Sequence, residues 1–200
     1  MPRNDCCCAR CALPLPHALA ACGRCQRQPP PWQAAWVPFR YAWPLNRLET
    51  RYKFSAQLAA GRVLARLWCA HPPPEPAAAL IAVPLHRARL RRRGYDQAHE
   101  MARHVAVALG LPLLDGALRR VRVTRPQSDL DARARRRNVR GAFRVRPGAV
   151  LPPHVALFDD VMTTGATLAE CTRALRRAGV RRVDVWAVAR VASPGGVRAR

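Results

Sequence analysis

Val155-Ala156-Leu157-Phe158-Asp159-Asp160-Val161-Met162-Thr163-Thr164-Gly165-Ala166-Thr167-Leu168 is the stretch from which the fold of this chain can be read. Four successive apolar residues read as a buried central strand, and a helical pattern with Leu168, Cys171, Leu175 and Ala178 inward begins after the turn. Two carboxylates stand at the strand end, where they can accept hydrogen bonds from a pair of sugar hydroxyls or hold Mg2+ with its waters. The Thr-Thr-Gly-Ala-Thr turn opens the helix, so backbone N–H groups, hydroxyls and the positive helix end converge on one point, an arrangement that receives a phosphate. Strand, acid pair and cradle together specify a sugar phosphate. The alternative is a plain strand-to-helix turn with Asp as N-cap, and fourteen consecutive residues fitting one pattern weigh against it.

Outward from this core the chain alternates between strands and helices. Leu80-Ile81-Ala82-Val83 is a short buried strand ending at Pro84, followed by a basic loop and a helix from about Asp96 to Leu109. In that helix Ala98, Met101, Ala102, Val105 and Leu109 share one face, Asp96 caps the start and Gly110 the end. A further strand is expected near Leu113-Leu114, then an Arg-rich segment to Phe143, and another strand from Val183 to Val191. Such alternation implies an α/β domain with a mainly parallel sheet, in which ligands bind outside the carboxyl ends of the strands. Upstream, Trp36, Phe39, Tyr41 and Trp43 suit a strand or hairpin, and a helix is expected from about Leu45 to Trp68, weakened in its middle by Gly61. Proline clusters at Pro29-Pro30-Pro31 and from Pro72 to Pro76 divide the chain into a module at 1–30, a connecting hairpin and helix section at 31–76, the α/β domain at 77–193 and a tail at 194–200.

The composition, 50% hydrophobic and 24% charged over 200 residues, is globular and excludes disordered, collagen-like and coiled-coil classes. No apolar run approaches the ~20 residues that span a bilayer, so no membrane insertion is expected. The N-terminus lacks an apolar signal core, which points to the cytoplasm. The net charge of +23 reads equally as a polyanion surface or as GC-rich coding, since among 35 basic residues only Lys53 is a lysine. The location of the arginines therefore matters more than their number.

Six of the eight cysteines lie within the first 25 residues. Cys8-Ala9-Arg10-Cys11 and Cys22-Gly23-Arg24-Cys25 form two C-x-x-C turns ten residues apart, spacing that points four thiolates at one tetrahedral Zn2+. A redox C-x-x-C or unstructured reactive thiols are the other readings, and Cys6 or Cys7 could replace Cys8 as a ligand. Cys69 and Cys171 read as core or rim residues.

On the residues quoted first, the chain resembles the phosphoribosyl pyrophosphate (PRPP) motif of type I phosphoribosyltransferases. Further segments, His86 to Ala98 with its Arg93-Gly94-Tyr95-Asp96-Gln97-Ala98 core, Thr124-Arg125-Pro126-Gln127, and Arg135-Arg136-Arg137-Asn138-Val139-Arg140-Gly141-Ala142-Phe143, together with the paired cysteines and Lys53-Phe54, are similar to the ComF family of competence-associated proteins. The resemblance implies an α/β fold, a type I phosphoribosyltransferase-like parallel sheet with flanking helices preceded by a small zinc-binding module. It also implies that Asp159 and Asp160 face ribose, with Mg2+ accompanying PRPP, and that Thr163, Thr164, Gly165, Ala166 and Thr167 surround the 5′-phosphate. Arg87, Arg89, Arg91, Arg92, Arg93 and Gly94 fall where pyrophosphate binds, and Gln127, Arg135 and Asn138 in the hood over the site. Asp96 departs from the family pattern, placing a carboxylate where an amide is usual. The expected partners are PRPP or a nucleotide-like phosphate, single-stranded DNA, and competence proteins such as a helicase or recombination mediator. A phosphoribosyltransferase of nucleotide metabolism and a role in carbohydrate (gluconate) utilisation are the competing functions. Trp36, Tyr41 and Trp43 could stack on a single strand or belong to the core.

Overall fold

A computed structural model describes residues 1–54, 57–123 and 132–192. Its central strand, β6 (His154–Met162), is longer than its apolar start, so the acid pair lies within the strand and not beyond it. It pairs in parallel with β7 (Arg182–Arg190), Asp159 opposite Ala187, and on its other side with β3 (Leu80–Ala82), Ala82 opposite Phe158. Two short segments complete a five-stranded sheet: β1 (Ala35–Trp36) and β2 (Phe39–Arg40) both run parallel to β7. The aromatic stretch is therefore strand, and the hairpin expectation fails, because each piece pairs with β7 and not with the other. Trp36 and Tyr41 pack against the core, while Trp43 is 74% exposed.

Alternate residues of a strand face opposite sides, and the two faces of this sheet bury different partners. Val155, Leu157, Val183, Val185 and Ala187 face α7 (Ala166–Arg177) and the N-terminal cysteines. Ala156, Phe158, Trp186 and Val188 face a layer of helices that includes α2 (Leu45–Phe54), α3 (Leu58–Cys69) and α5 (Gln97–Leu109), where the Trp68 ring meets Phe158 and Trp186. The single helix expected over Leu45 to Trp68 is two helices packed on each other. Gly61 is the place where they touch: a Cβ there would come within 2.5 Å of the Tyr52 ring, so glycine permits the approach.

The segment expected as a basic loop is a helix, α4 (Arg87–Arg93). His86 caps it by accepting from the Ala88 N–H, and Gly94, at φ 82°, ends it. Helix α5 follows with the expected caps, Asp96 and Gly110. Leu113 forms only an isolated bridge to Leu80 in place of a strand. A separate antiparallel pair, β4 (Leu118–Arg120) and β5 (Phe143–Val145), flanks the sheet, with α6 (Ala132–Val139) between them in sequence. Among the described residues no helix is long and apolar enough to cross a membrane. The short α1 (Gly23–Arg27) carries the last cysteine of the N-terminal cluster.

Candidate phosphate and metal sites

Strand alternation separates the two carboxylates. Asp160 turns toward α2, where Lys53 Nζ lies 3.0 Å from its Oδ2 and also contacts Glu49. The Tyr41 hydroxyl donates to Glu49 at 3.2 Å. Burial lowers the proton affinity of Lys53, but the charges of Asp160 and Glu49 outweigh it and hold the ammonium firmly protonated. Burial and then the Asp160 charge push the Glu49 carboxyl up. Asp159 is also pushed well up, first by burial and then by Asp160, and its charge is felt by Cys171 and by the buried Arg120. Arg120 itself stacks over Phe143 at 5.3 Å, and burial and then Arg89 lower its proton affinity. Strand and helix patterns did not single out Lys53, Glu49 and Arg120 as charged neighbours of the acid pair. For Lys53 the available signals were the Lys53-Phe54 pair of the family resemblance and its being the lone lysine of an arginine-rich chain.

The phosphate turn follows directly. Gly165 sits at φ 76° and starts α7, whose first bond runs from the Ala169 N–H to the Gly165 carbonyl. Thr164 Oγ1 accepts from the Ala166 N–H at 3.4 Å, and Thr163, Thr164 and Thr167 remain partly exposed. The turn thus presents a glycine-started helix N-terminus beside three partly exposed threonines. Asp96 has a structural occupation: it accepts from His99 N and, at 2.8 Å, from Leu85 N, tying the end of β3 to α5. Arg87, Arg89, Arg91, Arg92 and Arg93 lie on α4, which follows the strand end next to Phe158. Arg93 donates to Gln97 at 2.6 Å. Arg135 and Asn138 fall on α6, and Gln127 lies outside the described residues.

A second basic feature is tertiary. A cleft of about 860 Å3 runs along α7 from Gly165 to Arg177, walled by Trp32 and by Arg24, Arg137, Arg140 and Arg173. Glu170 on its floor pairs with Arg173 and accepts from the Gly141 N–H at 2.9 Å. Among the described residues, Arg24, Arg137, Arg140 and Arg177 have no ion-pair partner, which leaves an electropositive groove beside the phosphate turn. Arg24, the pair Arg137 and Arg140, and the pair Arg173 and Arg177 are too far apart in sequence to read as one cluster.

At the N-terminus the sulfurs of Cys8, Cys11, Cys22 and Cys25 all lie within 4.8 Å of one another, and all four residues are buried. Cys11 and Cys22 are 3.8 Å apart, matching the ~3.8 Å between sulfurs that a tetrahedron with Zn–S of about 2.3 Å requires. Four cysteines so placed could hold a structural zinc ion. Cys6 is exposed and Cys7 half-buried, outside the cluster. Burial raises the Cys22 thiol, but hydrogen bonds from the Cys25 backbone and neighbouring thiols prevail and bring it down to about 7. Arg190 at the end of β7 is buried and donates from Nε to the Cys11 carbonyl at 2.9 Å.

Comparison with protein-family models finds no match. Competence protein F of Haemophilus influenzae is 37% identical over 193 residues, covering 92% of this chain and 84% of that one. DNA utilization protein YhgH of Escherichia coli K12 is 36% identical over 190 residues, 92% of this chain and 83% of the relative. Competence protein ComFC of Streptococcus pneumoniae is 26% identical over 76% of this chain and 66% of its own length. Among solved structures, adenine phosphoribosyltransferase of Trypanosoma brucei superposes with a TM-score of 0.40 at 13% identity, covering 73% of this chain and 72% of that one. Identity of this extent over nearly the whole length leaves one conclusion, that the chain belongs to the ComF family of competence proteins.

Proposed function

We propose that this protein binds PRPP or a related sugar 5′-phosphate in the cytoplasm, as part of the handling of single-stranded DNA during its uptake. The observation that carries the reading is the junction of β6 and α7: a carboxylate pair in a central strand, followed within one turn by a glycine-opened helix N-terminus lined with threonines. The turn receives the 5′-phosphate through backbone N–H groups, and Asp159 and Asp160 accept from the ribose hydroxyls. Asp160 shares its charge with Lys53 and Asp159 is pushed toward its neutral form. The acid pair therefore suits the hydrogen bonds of sugar hydroxyls better than a free cation, and Mg2+ would enter already bound to its ligand. The groove along α7 takes the phosphates of a DNA strand, because planar guanidinium forks match phosphate oxygens. Binding by a competence adaptor is favoured over turnover. Among the described residues no set of side chains identifies a base acceptor.

Calorimetry with PRPP and Mg2+ tests the first half. Asp159→Asn should weaken binding by about two- to tenfold, the ~0.5 to 1.5 kcal/mol of a hydrogen bond between uncharged groups, and equal affinity for variant and parent overturns the ribose assignment. Pyrophosphate released on adding a nucleobase would convert the reading to a transferase. For the second half, single-stranded DNA affinity should fall steeply with salt. Arg137→Gln with Arg140→Gln should reduce the log–log slope by about 1.4, at ~0.7 per phosphate contact on single strands. An unchanged slope returns these arginines to a solvated face.

A further inference from the structure

Arg190 is 2% exposed, and among the described residues no carboxylate pairs with it. Its guanidinium is held by carbonyls alone. Nε donates to Cys11 O at 2.9 Å, and Nη1 to Met162 O at 3.1 Å and to the carbonyls of Thr163 and Val191. Enclosing a cation without a counter-charge is expensive, so an apolar residue would serve packing better at this position. What arginine supplies is a rigid fork of several donors, and here the fork joins the start of the phosphate turn, Met162 and Thr163, to the first cysteine turn.

Trp32 makes the same connection independently. It is 3% exposed, its Nε1 donates to Arg10 O at 2.6 Å, and its ring lies against Gly165, where a Cβ would come within 2.9 Å of Cη2. The carbonyls of two adjacent residues, Arg10 and Cys11, therefore anchor the side chains that bear on Thr163 and Gly165. The next residue, Ala12, is at φ 53° and its N–H bonds to Cys8 O at 2.7 Å, a tight turn in the left-handed region that an alanine holds only under constraint. Metal closure of the four sulfurs, which fit a zinc tetrahedron, would supply that constraint. It would also place the negative charge of the thiolates near Arg190.

We infer that Arg190 is a positioning residue for the phosphate turn, and that through Arg190 and Trp32 the four-cysteine turn sets the geometry of the 5′-phosphate cradle, so that metal occupancy controls sugar-phosphate affinity. This rests on the reading of Thr163 to Thr167 as a phosphate site. The cysteine module is then a working part of the binding site and not only a staple for its own residues.

The experiment measures ribose 5-phosphate affinity by calorimetry and amide exchange at residues 163–166, on reduced protein with Zn2+ loaded or removed by a chelator. With Zn2+ present, Arg190→Met should bind at least tenfold more weakly and exchange faster at the turn, and Arg190→Lys should recover part of the loss. Leu64→Ala, a core truncation on the opposite face of the sheet, should lower the melting temperature while leaving affinity within twofold. Chelation should weaken the parent at least tenfold and add little to Arg190→Met, because both changes break one connection. Parental affinity in Arg190→Met, an equal loss in Leu64→Ala, or a full additional loss on chelating Arg190→Met would each overturn the inference. If the parent itself fails to bind ribose 5-phosphate, the phosphate-site reading falls separately. Exchange at residues 163–166 still decides the coupling in that case: unchanged protection in Arg190→Met refutes it.

Discussion

Lys53→Met removes the cation that lies between Asp160 and Glu49 while keeping a side chain of similar length. Side-chain exposures of 24% for Lys53, 13% for Asp160 and 5% for Glu49 make this a largely enclosed triad. Breaking a buried ion pair costs about 3 to 5 kcal/mol, chiefly because the remaining charge is stranded. The residual exposure of Lys53 and Asp160 puts this case near the lower end, about 3 kcal/mol, which for a chain of this size is a fall of roughly 6–12 °C in melting temperature. The pH dependence follows from the carboxyls. Lys53 is held above its ordinary range, so its own contribution is complete below about 10 and lost only at higher pH. In the variant, Glu49, already pushed up by burial, holds a proton that the unfolded chain releases near pH 4, so stability declines as pH rises from that value. The deficit should be full at pH 7.5 and smaller at pH 5. Melting curves of parent and variant across that range, with Lys53→Met/Glu49→Gln expected to regain part of the loss, make the check. A variant within about 2 °C of the parent at pH 7.5, or a deficit unchanged by acidification, would refute the assignment of Lys53 as the counter-charge.

Two further outcomes are expected. Gly165→Ala must bear both a left-handed backbone and a Cβ 2.9 Å from the Trp32 ring, at a combined cost of about 2–4 kcal/mol; urea denaturation measures it, and a neutral result would mean that Trp32 can move aside freely. Asp159→Asn should raise the melting temperature at pH 7 even as it weakens sugar-phosphate binding, because burial and Asp160 penalise the ionised Asp159 in the folded state. That gain should shrink through pH 4 and vanish near pH 3, where the carboxyl is protonated folded or unfolded, and a variant less stable than the parent at pH 7 would contradict it.

Local features were legible in the sequence because their causes are local. The apolar run Val155 to Phe158, the Thr163 to Thr167 turn, the Asp96 and Gly110 caps of α5 and the spacing of the four cysteines each depend on residues within a few positions of one another. The run Arg87 to Arg93 shows the edge of that legibility: its cap chemistry, His86 and Gly94, was present in the sequence, but the charge pattern suggested a loop. What neighbours in sequence could not settle was decided by sheet order. Parallel pairing of β6 with β7 brings Met162 opposite Arg190, and the return of β1 and β2 along β7 carries the first cysteine turn to the same end. Only then does Arg190 reach Cys11 across 179 positions, Trp32 meet Gly165, and Arg24 join Arg137, Arg140, Arg173 and Arg177 around one cleft. Lys53 finds Asp160 for the same reason: α2 packs on the face toward which strand alternation turns that carboxylate. Such meetings have no period and no motif, since they arise from the order in which distant segments enter the sheet and from the side of it that each helix covers.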